Sequence, residues 1–178
     1  MGRMKPWQIL LLALLLVFFL YSIILLVTLS NSMELRRKLN RILEALSLLF
    51  SEKARLLLEI DALFTSRGVK YSEADRASVE AIKALRLDKV KPGEANKALA
   101  ALKSAGAHLS YLAQSNHWAS KDGDYLSLAE GLEANEKSIR QCISAYNLSA
   151  TGLNYWVAIP LVGWIDYLFG IRKRDLLS

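Results

Sequence analysis

The sequence has few of the residues on which metal-binding and redox sites depend. Its 178 residues include one cysteine, Cys142, two histidines and three prolines. A single cysteine excludes an intrachain disulfide, a CxxC redox pair and a zinc site built from cysteine pairs. His108 and His117 are nine residues apart, neither has a partner at metal-ligand spacing, and no HExxH motif is present. These absences argue against a metalloenzyme or a redox protein.

Motifs that bind nucleotides or carry a nucleophilic serine are also missing. The sequence has no GxxxxGK[ST], GxGxxG or GxSxG stretch. Glu130, Glu133 and Glu136 recur every three residues, but a di-iron bundle needs Glu-x-x-His motifs, which this sequence lacks. We therefore predict a solvated acidic face there, and a buried structural thiol for Cys142, which lies on an apolar helix face. The sequence predicts no catalytic residue, no cofactor and no metal.

Positive charge exceeds negative charge only modestly. There are 23 Lys and Arg against 17 Asp and Glu, a formal net charge of +6. Much of the excess lies in residues 36–41 and 172–174, where anionic lipid explains it without nucleic acid. Helix-turn-helix spacing and interleaved aromatic and basic strands are missing from the sequence, so we predict no nucleic-acid partner.

The sequence does contain one long apolar run. Residues 9–29 include two polar side chains, Ser22 and Thr28, and no charge. As a helix they would span about 31 Å, the thickness of the hydrocarbon core of a bilayer. The run is longer than the apolar part of a cleaved signal peptide, and no good small-x-small site follows it. We predict an uncleaved transmembrane anchor at 9–29, behind a short tail at 1–8.

Flanking cations predict the orientation of this anchor. Arg3 and Lys5 precede it, and four cations follow it closely: Arg36, Arg37, Lys38 and Arg41. By the positive-inside rule the C-terminal part lies in the cytoplasm and the N-terminus outside, in a plasma or bacterial inner membrane.

After residue 30 the periodicity is helical throughout. Apolar residues from Leu35 to Leu63 alternate by four and three positions with one lapse at Lys53, which predicts one helix running from the bilayer to about 65–68. Ser72 and Asp75 predict the capped start of a second helix, and two more are predicted over about 94–115 and 124–156. The expected fold is all-α, with the transmembrane helix continuous with an up-down-up-down four-helix bundle at 31–156.

Residues 157–178 form an aromatic and basic tail. If the helices run up and down, the fourth returns to within about 10–20 Å of the membrane. Aromatic residues followed by cations are typical of a cytoplasmic membrane interface, although the same residues could instead cap the open end of the bundle. A second full span is disfavoured by interruptions such as Pro160 and Asp166. The candidate interface residues are Trp156, Trp164, Tyr167, Phe169, Arg172, Lys173 and Arg174.

Residues 125–170 carry a pattern that leucine periodicity alone does not explain. It runs Tyr125-Leu126-x-Leu128-x3-Leu132-x3-Glu136-x2-Ile139, then Tyr146-Asn147, Asn154, Pro160 and Leu168-Phe169-Gly170. This pattern resembles the C-terminal signature of the LemA family. The chain departs from it at Ile143, where the family commonly has Arg, and the first-helix pattern of the family is not visible in 44–64. The resemblance is that of a divergent member.

The resemblance implies an N-out membrane protein with one anchor and a cytoplasmic helical bundle. The family has no established biochemical activity, and its members are often encoded near membrane metalloproteases, which implies a role in envelope maintenance. Within the matching region, two interpretations of the polar positions stay open: hydrogen bonds that set the register of the bundle, or a contact site for a protein partner. These positions are Glu136, Arg140, Tyr146, Asn147 and Asn154.

We therefore expect a membrane-anchored scaffold or adaptor of the cell envelope, with the lipid bilayer and a membrane protein as partners. The alternative is a self-assembling structural membrane protein, a homo-oligomer whose copies pack through small residues of the third helix. Those residues are Ala98, Ala101, Ala105 and Gly106. An enzyme is expected less, because the sequence offers no catalytic constellation.

Overall fold

The computed structural model describes residues 5–88 and 90–178. These residues form five α-helices and one short 3-10 turn, and no strand occurs among them, so the predicted all-α class is confirmed. The helices are Pro6–Ser66 (α1), Glu73–Lys83 (α2), Pro92–Ser115 (α3), Gly123–Ala158 (α4) and Pro160–Leu168 (α5), and the turn is Ala119–Lys121. Met1 to Met4 of the predicted tail, including Arg3, lie outside the described residues.

Helix α1 is a single unbroken helix of 61 residues, as the periodicity predicts. It contains the whole apolar run and continues without a proline or glycine. It ends in a Schellman motif, in which the N–H of Val69 donates to the carbonyl of Phe64 and that of Gly68 to Thr65. Gly68 has a φ of +71°, a backbone conformation that glycine adopts at little steric cost, so the predicted stop at 65–68 is confirmed.

The predicted capped start of the second helix is also confirmed. The Ser72 hydroxyl accepts a hydrogen bond from the N–H of Asp75, and the Asp75 carboxylate accepts one from the N–H of Ser72. Asp75 is buried and its other oxygen lies 3.0 Å from Nδ1 of His108 on α3. The hydrogen bonds from Ser72, helped by His108, lower the pKa of the Asp75 carboxyl.

The chain divides into two compact units. Unit 1 contains the described residues up to Lys38 together with Ala150–Arg174, and unit 2 contains Leu39–Ser149 and Asp175–Ser178. Helices α1 and α4 each contribute to both units. In unit 2 the predicted stripe of α1 supplies much of the core, with Leu46, Phe50 and Phe64 completely buried.

Two expectations about α3 and α4 need correction. The small residues of α3 do not form a free face for a second copy, because Ala98, Ala105 and Gly106 are buried in unit 2, where Gly106 faces Leu57. Cys142 is half-buried rather than buried. The small stripe therefore serves close packing between helices of one chain.

Helix α5 was not foreseen as a separate helix. Pro160 stands in its first turn, where the missing N–H costs nothing, and the chain turns by 107° between α4 and the part of α5 from Val162. Gly163 permits this corner, because a Cβ there would collide with the carbonyl oxygen of Val157. A second Schellman motif with Gly170 at φ +68° ends α5.

Candidate membrane interface

The apolar run of α1 is exposed over most of its length, while Thr28 near its end is buried. Its most apolar 18-residue stretch has no buried residue, and α1 is the one described helix that is by itself long and apolar enough to cross a membrane. Helices α4 and α5 pass the same test only when taken together across their bend. A helix that is apolar all round and exposed is suited to lipid rather than water.

The two polar side chains of the run are satisfied within the helix. The hydroxyl of Ser22 donates to the carbonyl of Phe18 at 2.9 Å, and that of Thr28 donates to the carbonyl of Ile24 at 2.9 Å. Such bonds to the preceding turn are the usual way in which Ser and Thr hydroxyls are accommodated inside a helix. Neither hydroxyl therefore needs water within a hydrocarbon environment.

A buried polar contact joins α5 to α1 in unit 1. The carboxylate of Asp166 accepts a hydrogen bond from the hydroxyl of Ser32 through Oδ2 at 2.9 Å, and both residues are 0% exposed. The other oxygen, Oδ1, has no hydrogen-bond partner among the described residues. Burial raises the pKa of Asp166. Because Ser32 lies three residues beyond Leu29, this contact fixes α5 near the end of the apolar run.

The opposite face of α5 is aromatic and exposed. Trp164, Tyr167 and Leu168 follow the i, i+3, i+4 spacing of one helix face, and they are 67%, 63% and 64% exposed. Phe169, which caps the helix, is also exposed. Trp156 on α4 is instead half-buried, with its ring 5.5 Å from that of Tyr155. Of the four aromatic interface candidates, two thus lie on the exposed face of α5 and Phe169 is exposed at its C-terminal end.

The cations that follow α5 differ in their surroundings. Arg172 is exposed and lies over the ring of Tyr167, 5.6 Å from its centre, while Lys173 is exposed. Arg36, from the positive cluster after the apolar run, donates to the carbonyl of Phe169 at 3.3 Å. Arg174 is half-buried, because its main chain is held by a side chain of α4.

That side chain belongs to one of the polar positions singled out from the sequence. Asn154 donates to the carbonyl of Arg174 and accepts from its N–H, both at 2.8 Å. Asn147, in unit 2, holds the carbonyl and N–H of Leu177 in the same way, also at 2.8 Å. The side-chain amide of each asparagine thus pairs with both main-chain polar groups of one residue. We call residues 171–178 the C-terminal strap.

A third asparagine, which lies in unit 2, holds the end of the strap. Asn96 on α3 donates to the carbonyl of Leu176 at 3.3 Å and accepts from the N–H of Ser178 at 3.0 Å. The side chain of Leu177 is buried. Nothing in the sequence around Asn96 signals this role, because the strap has no periodicity of its own.

The remaining polar positions belong to unit 2. Glu136 accepts a hydrogen bond from Nζ of Lys53 at 2.7 Å, and Nη1 of Arg140 lies 3.8 Å from its other carboxylate oxygen. Lys53 is buried, so the lapse in the stripe of α1 was the signal for this pair. Of the three glutamates expected to form a solvated face, Glu130 and Glu133 are exposed, whereas Glu136 is bound to Lys53. Tyr146 is completely buried in unit 2.

The structure divides these candidates between the two units. Asn154 belongs to unit 1, and Glu136, Arg140, Tyr146 and Asn147 belong to unit 2. Within residues 5–88 and 90–178, no three His, Cys, Asp or Glu side chains form a group that could hold a metal ion. Comparison of the chain with protein-family models, curated proteins and solved structures finds no match in any of the three.

Proposed function

We propose that this chain is a membrane-anchored, non-catalytic scaffold or adaptor of the cell envelope, organised like a LemA protein. The observation that carries the proposal is the single helix α1, which is exposed and apolar over 9–29 and enters a protein core from Leu39 onward. A continuous helix connects an apolar segment directly to a folded domain. Such an arrangement suits a protein that presents a surface at the membrane.

The aromatic face of α5 supports a second contact with the bilayer. Ser32, which holds α5 through Asp166, lies about 4.5 Å along the helix axis from Leu29. Interfacial helices bury their apolar face to a depth of roughly 5–10 Å at the boundary of headgroups and acyl chains. In our proposal Trp164, Tyr167 and Phe169 enter this boundary, while Arg172 and Lys173 meet anionic headgroups.

The proposed orientation places the C-terminal part in the cytoplasm of a cell with a plasma or inner membrane. Four cations follow the apolar run and two precede it, which favours an N-out anchor. The exposed cations Arg172 and Lys173 would then face the leaflet that carries anionic lipid. A reporter fused after Ser178 tests this: activity of a cytoplasmic reporter is expected, and activity confined to an extracytoplasmic one contradicts it.

The depth of α5 can be measured in nanodiscs that contain brominated lipids, which quench nearby tryptophan. The difference in quenching between the unchanged chain and Trp164→Phe isolates Trp164, and Trp118→Phe serves as the matched control from unit 2. We expect quenching of Trp164 to be strongest with bromine near the headgroup end of the acyl chain. Quenching of Trp164 that is no greater than that of Trp118 would contradict docking of α5.

The adaptor role is tested by cross-linking the full chain in its membrane and identifying the recovered proteins by mass spectrometry. Residues 1–40 alone provide the control, because they contain the apolar run without unit 2. A membrane protein recovered reproducibly with the full chain and not with the control supports an adaptor. Recovery of copies of this chain alone would favour the self-assembling alternative and predicts a discrete oligomer in mild detergent.

A further inference from the structure

Unit 2 contains an open groove between α3 and α4, with a volume of about 780 Å³. On α4 its lining runs from Glu136 to Asn147 at the spacing of one helix face, a length of about 16 Å or three turns. On α3 it runs from Asn96 to Lys103 in the same manner. Two helix faces that flank a groove of this length leave a position that a further helix would fit.

The floor of the groove is apolar. Its apolar lining consists of Leu99 and Ala100 on α3 and Ile139 and Ile143 on α4, which form the surface that an apolar stripe can cover. Amphipathic helices bind such grooves through residues at i, i+3, i+4 and i+7, a set that spans about 10.5 Å or two turns. An alkyl chain lying in a groove open along its length would leave one side in water, which favours a helix over a lipid as occupant.

The rim of the groove is positively charged. Lys103 on α3 and Arg140 on α4 are both exposed, and Lys103 forms no ion pair with a described residue. Arg140 is 3.8 Å from Glu136, which is already hydrogen-bonded at 2.7 Å to the buried Lys53. Cations on both sides of an apolar floor are complementary to a helix whose apolar stripe is flanked by acidic residues.

One end of the groove is occupied by the chain itself. Asn96 and Asn147, which line this end, hold the main chain of residues 176–178. An occupant would therefore lie against the remaining length, toward Lys103 and Glu136. We propose that this groove is the docking site for an acidic amphipathic helix of a partner protein. The inference rests on the proposed adaptor role and specifies the chemistry of the partner segment.

The test uses two synthetic 14-residue helical peptides with the same leucine spacing. One carries glutamates on both flanks of its leucine stripe and the other carries lysines. Binding to the full chain in phosphatidylcholine nanodiscs is followed by fluorescence anisotropy, with empty nanodiscs as the blank. We expect the acidic peptide to bind about tenfold more tightly than the basic one, since two rim charges attract one and repel the other.

A charge-reversed protein makes the test specific to this groove. In the double variant Lys103→Glu, Arg140→Glu the preference is expected to reverse in favour of the basic peptide. The matched control, Lys97→Glu, Lys137→Glu, changes two exposed lysines of the same helices that do not line the groove and should keep the acidic preference. Circular dichroism verifies that helix content is unchanged in both variants.

Three outcomes would overturn the proposal. The first is that the two peptides bind equally well or that neither binds. The second is that the preference also reverses in the control variant. The third is that hexadecanoate binds instead of the acidic peptide and shows the same dependence on the charges of the groove. If the peptides fail while cross-linking still recovers a membrane partner, the groove assignment is wrong and the adaptor role stands. If the acidic peptide binds but no partner is recovered, the groove assignment stands and the adaptor role loses its support.

Discussion

The two parts of α1 differ both in apolar content, 19 of 21 residues over 9–29 against 16 of 26 over 39–64, and in exposure. Over 9–29 nearly every large apolar side chain is exposed, including Leu16 at 59%. Over 39–64 the apolar side chains form a stripe, and Phe50 in that stripe is 0% exposed, while Leu48 on the other face is 74% exposed. The same helix therefore contains a segment that is mostly exposed and a segment that supplies a core.

This difference shows how the arrangement of apolar residues around a helix decides what can cover them. A stripe one helix-face wide can be covered by neighbouring helices, as α1 is in unit 2. A run that is apolar all round exposes surface that no single protein layer could cover, so its stable solvent is lipid. The predictions below would break or sharpen this contrast, in order of decreasing effect.

The largest effect is expected in the stripe of α1. Phe50→Ala removes a fully buried ring and should lower the free energy of unfolding of unit 2 by about 3–5 kcal/mol. Leu48→Ala, two residues away on the exposed face, should change it by less than about 0.5 kcal/mol. Chemical denaturation in nanodiscs, followed by circular dichroism, provides the measurement. Comparable losses in both variants would show that the stripe is not the core-forming face.

A charge in the apolar run should affect membrane insertion instead of folding. Leu16→Arg places a charge near the middle of 9–29 and should disfavour insertion by about 3 kcal/mol. The expected result is a large loss of the membrane-bound fraction in cell fractionation, with the unfolding of unit 2 unchanged. Leu16→Phe is the control that preserves apolar character. An unchanged membrane fraction for Leu16→Arg would contradict a spanning role for 9–29.

Loss of Asn147 or Asn154, which we call the two asparagine clamps of the strap, should have a local effect confined to the unit that contains the residue. Asn147→Ala removes two hydrogen bonds to Leu177, and Asn154→Ala removes two to Arg174. Each substitution should lower the free energy of local opening of the strap by about 1–2 kcal/mol. Hydrogen exchange should accelerate at the amide of Leu177 in the first variant and of Arg174 in the second. Thermal stability is expected to fall only slightly in either. Loss of protection at both amides in each variant would show that the clamps are coupled.

The capping box of α2 should make unit 2 sensitive to acid. The pKa of Asp75 is lowered by the hydrogen bonds from Ser72, so the folded state favours the ionised carboxylate over the unfolded state. The resulting stability is present above the ordinary pKa near 4 and is lost as pH falls below it, by about 1 kcal/mol. Asp75→Asn should weaken this loss between pH 5 and pH 3, whereas Glu73→Gln, which is exposed, should retain it.

Asp166 should respond to pH in the opposite direction. Burial raises its pKa, so the packed state favours the protonated carboxyl, and stability is full below the ordinary pKa and declines as pH rises through the raised one. The ratio of amide exchange rates in α5 between the unchanged chain and Asp166→Asn should therefore vary with pH. Asp175→Asn, at an exposed position, should give a ratio that stays constant. A constant ratio for Asp166→Asn would contradict the shift.

Local sequence signals predicted the helices well because helix formation depends on neighbouring residues. The stripe of α1, the stop before Gly68 and the capping box of Ser72 and Asp75 all involve residues within five positions of one another. Helix α5 was not predicted because it is only nine residues long, and because Pro160 and Gly163 indicated an interruption of helical structure. Asp166, a charged residue in an otherwise apolar stretch, was the signal that one face of α5 is buried.

The polar pairs that build the candidate sites could not be read from the sequence. Lys53 and Glu136 are 83 positions apart, and Ser32 and Asp166 are 134 positions apart. Many partners are compatible with each side chain until packing selects one. The small residues of α3 illustrate the same limit, because Ala98 and Ala105 suit contact between copies and contact within a chain equally well, and they are buried within the chain.

The sequence by itself determined that the chain is all-α and that it has a helix long and apolar enough to cross a bilayer. It also determined where α1 ends and where α2 begins. These features follow from periodicity, capping and hydropathy, which are properties of short segments. Only the tertiary structure decided that Asn147 and Asn154 hold the strap, that Asp166 is buried against Ser32, and that Lys53 pairs with Glu136. Those contacts exist because burial forces each polar group to find a partner, and which partner lies within reach depends on how the helices pack.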